Sequence, residues 1–154
     1  MKKFLNIIVL TLICNSPVFA AKDFKNIEHF KCYYDRSTAA YISSETKKYT
    51  LDKEIYENYR WEIVVSRINY QKKIANVIFG ASKKVDDIFI INSPEQSSFG
   101  FGQIDFFYPR SYGSDLITIY RAKKENGAYY SLHTFHGFSI GPNMYTYHGW
   151  CFEN

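Results

Sequence analysis

The pattern of hydrophobic and polar positions changes at Trp61. Residues 22–60 are polar and mixed, and only Phe30-Lys31-Cys32-Tyr33-Tyr34 among them has the character of a strand. In 51–59 (LDKEIYENY), Leu51, Ile55 and Tyr59 recur four apart, which predicts one or two helical turns. From Trp61 onward, short segments rich in β-branched and aromatic residues follow one another, at 61–69, 74–81, 87–92, 103–108, 115–122, 128–138 and 144–152. Breaks rich in Gly, Pro, Asn, Ser and Lys separate them, and no crossover helix intervenes. Asn126-Gly127 is a tight-turn signal, and 139–143 (SIGPN) supplies the next reversal. The rhythm predicts an all-β domain, an antiparallel meander of about eight strands in a closed or partly closed barrel. A β-sandwich is the alternative. No internal repeat, low-complexity tract or second domain is visible.

The first 20 residues belong to a different pattern. Lys2 and Lys3 precede an apolar run from Phe4 to Cys14, and a proline-containing stretch ends in Val18-Phe19-Ala20. This is the three-part layout of a secretory signal peptide, with cleavage expected after Ala20. A membrane-spanning helix needs about 20 apolar residues, and the run stops earlier, at Asn15-Ser16-Pro17. A lipoprotein signal ending at Cys14 would carry a small residue where Ile13 stands. The expected domain is therefore 21–154, periplasmic or secreted, with no transmembrane segment once the leader is removed. The leader takes two of the 19 Lys and Arg and none of the 15 Asp and Glu, so the remainder carries 17 − 15 = +2. That balance gives no reason to expect nucleic acid. The lysine pairs at 47–48, 72–73, 83–84 and 123–124 sit among turn-like residues and read as solubilising charge.

Cys14 leaves with the leader, and Cys32 and Cys151 remain for an oxidising compartment, so a disulfide between them is the expectation. A bridge brings Cα atoms within about 7 Å. The first and last strands must then lie side by side, which would clamp a barrel and cover its two exposed edges.

Two catalytic patterns coincide in 133–141 (HTFHGFSIG). His133 and His136 have a spacing used by metal sites, and Gly137 to Gly141 read G-x-S-x-G, the nucleophile signature of serine hydrolases. On a strand, residues three apart point to opposite faces, so His133 and His136 cannot share one metal ion there. His148 offers an alternative partner across the following hairpin, but no third ligand is evident. A nucleophile elbow needs a helix after the serine, then an acid and a histidine. After Ser139 come a Gly-Pro turn and a strand-like segment, so the match is read as coincidental. The carboxylates at Asp86-Asp87 and Asp105 read as solvated positions. No catalytic residue, metal or other cofactor is assigned, and the protein is expected not to be an enzyme.

Aromatic content changes the functional picture. Fourteen tyrosines, thirteen phenylalanines and two tryptophans bring the aromatic share to 19%, more than a core of this size needs. Adjacent pairs such as Tyr33-Tyr34 and Tyr129-Tyr130 must send one ring to each face of a strand. Exposed tyrosine offers large, rigid contact area with a polar tip. Tyr33, Tyr34, Tyr129, Tyr130, Tyr145 and Tyr147 are the candidate binding residues.

The early F-x-C (Phe30-Lys31-Cys32), the segment 117–130 (ITIYRAKKENGAYY) and the terminal G-x-C (Gly149-Trp150-Cys151) resemble those of small uncharacterised periplasmic β-proteins of Gram-negative bacteria. More loosely, the chain is similar to periplasmic C-type lysozyme inhibitors, small disulfide-linked β-barrels, with 97–102 (SSFGFG) set beside their inhibitory loop. These readings lead to a non-enzymatic envelope protein that binds another protein, an inhibitor or immunity-like factor. A lipocalin-like small-ligand carrier is the second expectation, and a histidine metal site or enzyme the third.

Overall fold

The computed structural model describes residues 26–42, 49–54, 61–80, 82–92, 102–123, 126–137 and 143–153. The expected leader, Ser139 with the reversal around it, and all of 97–102 except Gly102 lie outside these residues. Nine strands occur among the described residues: β1 (Phe30–Ile42), β2 (Tyr49–Glu54), β3 (Trp61–Asn69), β4 (Ile74–Phe79), β5 (Asp86–Asn92), β6 (Gln103–Arg110), β7 (Gly113–Lys123), β8 (Tyr129–Gly137) and β9 (Asn143–Glu153). From β3 to β9 each strand pairs antiparallel with the next, and β9 pairs back onto β1. The sheet is thereby a closed meander barrel and not a sandwich.

Nine strands fill eight positions because β1 is long and has two successive partners on one side. Phe30 to Tyr34 pair with Val65 to Trp61 of β3, and Ser37 to Ile42 pair with Glu54 to Tyr49 of β2. A register shift between Tyr34 and Arg36 marks the changeover. Residues 51–54, expected to be helical, are therefore extended. The second half of β1, paired with β9 along its other edge, offers them a ladder of backbone partners, and that tertiary pairing outweighs a spacing seen at only three positions. The other half of that segment, 55–59, lies outside the described residues.

Alternation along the strands builds the interior. Ile63 and Val65, Ala75 and Val77, Ile88 and Ile90, Ile104 and Phe106, and Ile117 and Ile119 place a buried pair on each of five consecutive strands. Phe30 and Tyr129 meet edge to face at 5.7 Å among them. One end of the barrel is stoppered by the residues that precede β1. Ile27 is fully buried there; the Tyr70 hydroxyl donates to its carbonyl at 3.3 Å, and the Ile68 N–H donates to the Glu28 carbonyl at 3.3 Å. Ile27→Ala should lower the unfolding free energy by about 2 to 4 kcal/mol. Ile91→Ala, on the exposed outer face, should stay within about 0.5 kcal/mol. Paired urea melts make the comparison, and equal losses would mean that Ile27 is no stopper.

The Cys32–Cys151 disulfide joins β1 to β9, the strands whose pairing closes the barrel. The two cysteines are direct cross-strand partners with Cα atoms 3.9 Å apart, and both are fully buried. Gly149 keeps the seam close, since a side-chain carbon there would collide with the Tyr33 carbonyl.

Candidate functional site

With the Ile27 end closed and apolar, chemistry gathers at the opposite end of the interior. β6 and β7 are joined by the two-residue turn Ser111-Tyr112, so Arg110 pairs with Gly113 and Tyr108 with Asp115. Alternation then sends Tyr108, Arg110 and Asp115 inward. The next register pairs Asp115 with Phe135 and Ile117 with His133, which puts Asp115 and His133 diagonally on the same inner face. Gly113 permits this approach, because a side chain there would strike the His136 carbonyl.

The result is a buried charge cluster. Arg110 Nε donates to Asp115 Oδ2, and His133 Nε2 lies 2.7 Å from Asp115 Oδ1. An ionised carboxylate only accepts, so Nε2 must carry the proton of that bond. Side-chain exposure is 2% for Asp115, 3% for His133 and 24% for Arg110, so the arginine is the member that reaches solvent. Burial pulls the Arg110 guanidinium downward, but its bond to Asp115 and the nearby Tyr112 hydroxyl hold it above its ordinary value. Its charge lies over three rings, 4.8 Å from the centre of Phe79, 5.0 Å from Tyr108 and 5.8 Å from Phe135. His133 stacks on Tyr147 at 5.2 Å, and Phe135 stacks on Tyr145 at 6.2 Å. His133 Nδ1 is buried with no hydrogen-bond partner among the described residues.

Deeper in, Ser131 donates to the Thr118 carbonyl at 2.9 Å, so its single proton is committed. The Tyr34 hydroxyl, 2.8 Å from Ser131 Oγ, is therefore the donor in that contact. Burial pushes this tyrosine's ionisation well above its usual range, with the Ser131 bond acting in the other direction. Ser131 thus faces the Tyr34 hydroxyl and the Thr118 carbonyl, and Cys32 and Cys151 are in the disulfide.

The candidate tyrosines divide among three places. Tyr34 and Tyr129 are fully buried in the barrel, while Tyr145 and Tyr147 line the inner face at the Arg110 end. Tyr33 and Tyr130 face outward, and the register sets Tyr33 opposite Trp150 and Trp150 opposite Tyr130. This row crosses three strands beside the disulfide. The Tyr130 and Trp150 rings are 4.2 Å apart, Phe152 meets Tyr33 edge on at 6.3 Å, and Tyr130 is 46% exposed. A charged rim adjoins it: Lys31 pairs with Glu62 at 3.3 Å and lies 5.4 Å from the Tyr33 ring centre.

The three histidines do not meet. His133 is inside, whereas His136 and His148 are exposed and pair with Met144 and Leu132 respectively. Among the described residues no three His, Cys, Asp or Glu side chains are grouped as metal ligands would be. The carboxylates noted in the sequence are held separately, and Asp105, expected to be solvated, is instead buried within β6. Asp105 accepts from Thr118, Asn92 and Gln103; Asp87 accepts from Asn76; and Asp86 is held by Lys84 at 2.6 Å, which keeps its carboxyl below the ordinary range. Sequence reasoning missed Arg110 and Asp115. Their signal was phase: Arg110 continues the alternation of Ile104, Phe106 and Tyr108, and Asp115 that of Ile117 and Ile119.

Comparison with protein-family models, curated proteins and solved structures found no match.

Proposed function

We propose that this chain is a non-enzymatic protein-binding module of the cell envelope, exported to the periplasm, and an inhibitor or immunity-like factor in type. The observation that supports it best is the outward row Tyr33–Trp150–Tyr130. Tyrosine and tryptophan supply contact area at a low cost in side-chain entropy, and they dominate the energetics of protein interfaces. The row is also pre-organised. Tyr33 follows Cys32 and Trp150 precedes Cys151, so the disulfide fixes the backbone from which both rings project. Less ordering then remains to oppose association. Aromatic rings beside the Lys31–Glu62 pair match the apolar centre and polar rim of such surfaces.

A lipocalin-like carrier fits less well. Phe30, Phe106 and Tyr129 fill the lower interior and Ile27 closes that end, which leaves only the Arg110 end for a ligand.

The test is capture from envelope extract on the oxidised domain, with Trp150→Ala and Tyr130→Ala as comparisons. One protein should be retained by the parent and held at least about tenfold more weakly by each variant, as expected for an interface anchor. Retention that both variants leave unchanged would contradict the proposal.

A further inference from the structure

We infer that the Arg110 end of the barrel is a second binding site, for a small ligand carrying a carboxylate on a flat apolar body. The cluster leaves part of its hydrogen-bonding capacity unused. A guanidinium has five N–H donors in a planar fork that matches a carboxylate. In Arg110 the Nε donor is on Asp115, and the Tyr112 hydroxyl lies near the guanidinium. The solvent-facing side of the fork retains donors for an incoming acceptor. Phe79, Tyr108 and Phe135 restrain the guanidinium, and Asp115 orients it, so its direction is set before any ligand arrives.

The body of the ligand is indicated by the approach to Arg110. Tyr112, at the tip of the β6–β7 turn, is 49% exposed, and its ring lies 6.1 Å from Phe135, which in turn stacks on Tyr145. These rings form an aromatic wall leading to the guanidinium. A flat apolar group stacks on such a wall, and a branched or hydrated one does not. Lys84 and Asp86, also charged, are paired with each other.

Benzoate is the probe, with neutral benzamide and inorganic phosphate as controls, titrated into the purified oxidised domain while Tyr and Phe ring signals are followed by NMR. Benzoate should move the Tyr112, Phe135 and Tyr145 signals saturably. Benzamide and phosphate should each bind at least about tenfold more weakly, the worth of a charge-assisted hydrogen bond. Arg110→Gln should weaken benzoate by a similar factor. Tyr112→Ala, an exposed change that leaves the interior untouched, should weaken it about threefold and keeps the test valid if the arginine variant fails to fold. Absence of a saturable benzoate shift, benzamide binding as well as benzoate, or phosphate binding as well as benzoate would each overturn the assignment. No partner protein enters this experiment, so its outcome is separate from that of the Tyr33–Trp150–Tyr130 row.

Discussion

Replacing Cys32 and Cys151 together by alanine is expected to lower the unfolding free energy by about 3 to 5 kcal/mol, a large share of what a small domain has. The bond closes a span of 119 residues, and cross-linking so long a loop removes much of the freedom of the unfolded chain. It also joins β1 to β9, so without it closure of the barrel depends on the ladder from Phe30–Glu153 to Tyr41–Asn143 alone. Alanine is the appropriate replacement because both cysteines are fully buried, and a serine hydroxyl would add the cost of an unsatisfied polar group. Urea unfolding, followed by tryptophan fluorescence and far-UV circular dichroism, reads the change. A loss below about 1 kcal/mol would show that the strand ladder holds the seam without the bridge.

Asp115→Ala is the second large effect, with an expected loss of about 3 to 5 kcal/mol. Asp115 is the shared acceptor of Arg110 Nε and His133 Nε2, and it is 98% buried. Its removal leaves the buried His133 N–H and the inward Nε–H of Arg110 without their shared acceptor, which costs more than loss of the pair itself. A double-mutant cycle isolates the cause. In the background of Arg110→Met and His133→Phe, the stranded donors are gone, and Asp115→Ala should then cost less than half as much. Equal costs in the two backgrounds would refute the electrostatic explanation and leave only lost packing. Asp87→Ala, on the exposed face, serves as a control expected within about 0.5 kcal/mol.

How much of this could be read from the chain depended on whether the information was local. The segments from Trp61 onward alternate cleanly and are bounded by turn residues, so β3 to β9 agree with the sequence to within a few positions. Tyr34 inside with Tyr33 outside, and Tyr129 inside with Tyr130 outside, follow from the two-residue period of a strand. The disulfide followed from two thiols remaining after an expected export signal. The second half of β1 was hidden by its irregularity. Phe30, Cys32 and Tyr34 point inward on even numbers, Ser37 and Ala39 on odd ones, and the change of phase between them erases the period. β2 forms because β1 needs a partner, a requirement that no window of its own sequence shows. The charge cluster was half visible. His133 was noticed for its spacing to His136, which proved to lie on the opposite face, while the residue it touches is 18 positions away and is set by cross-strand register. The row Tyr33–Trp150–Tyr130 was hidden for the same reason, since its members come from the first strand and the last two.

Site-specific photo-crosslinking tests most directly whether that row is the binding surface. A benzophenone amino acid is placed at Tyr130, on the row, and in a second protein at Ile91, an exposed position on β5 away from the seam. Both are irradiated in intact envelopes with the disulfide formed. One discrete crosslinked partner is expected from position 130 and none from position 91. The same product from both positions, or from position 91 alone, would contradict binding through that row.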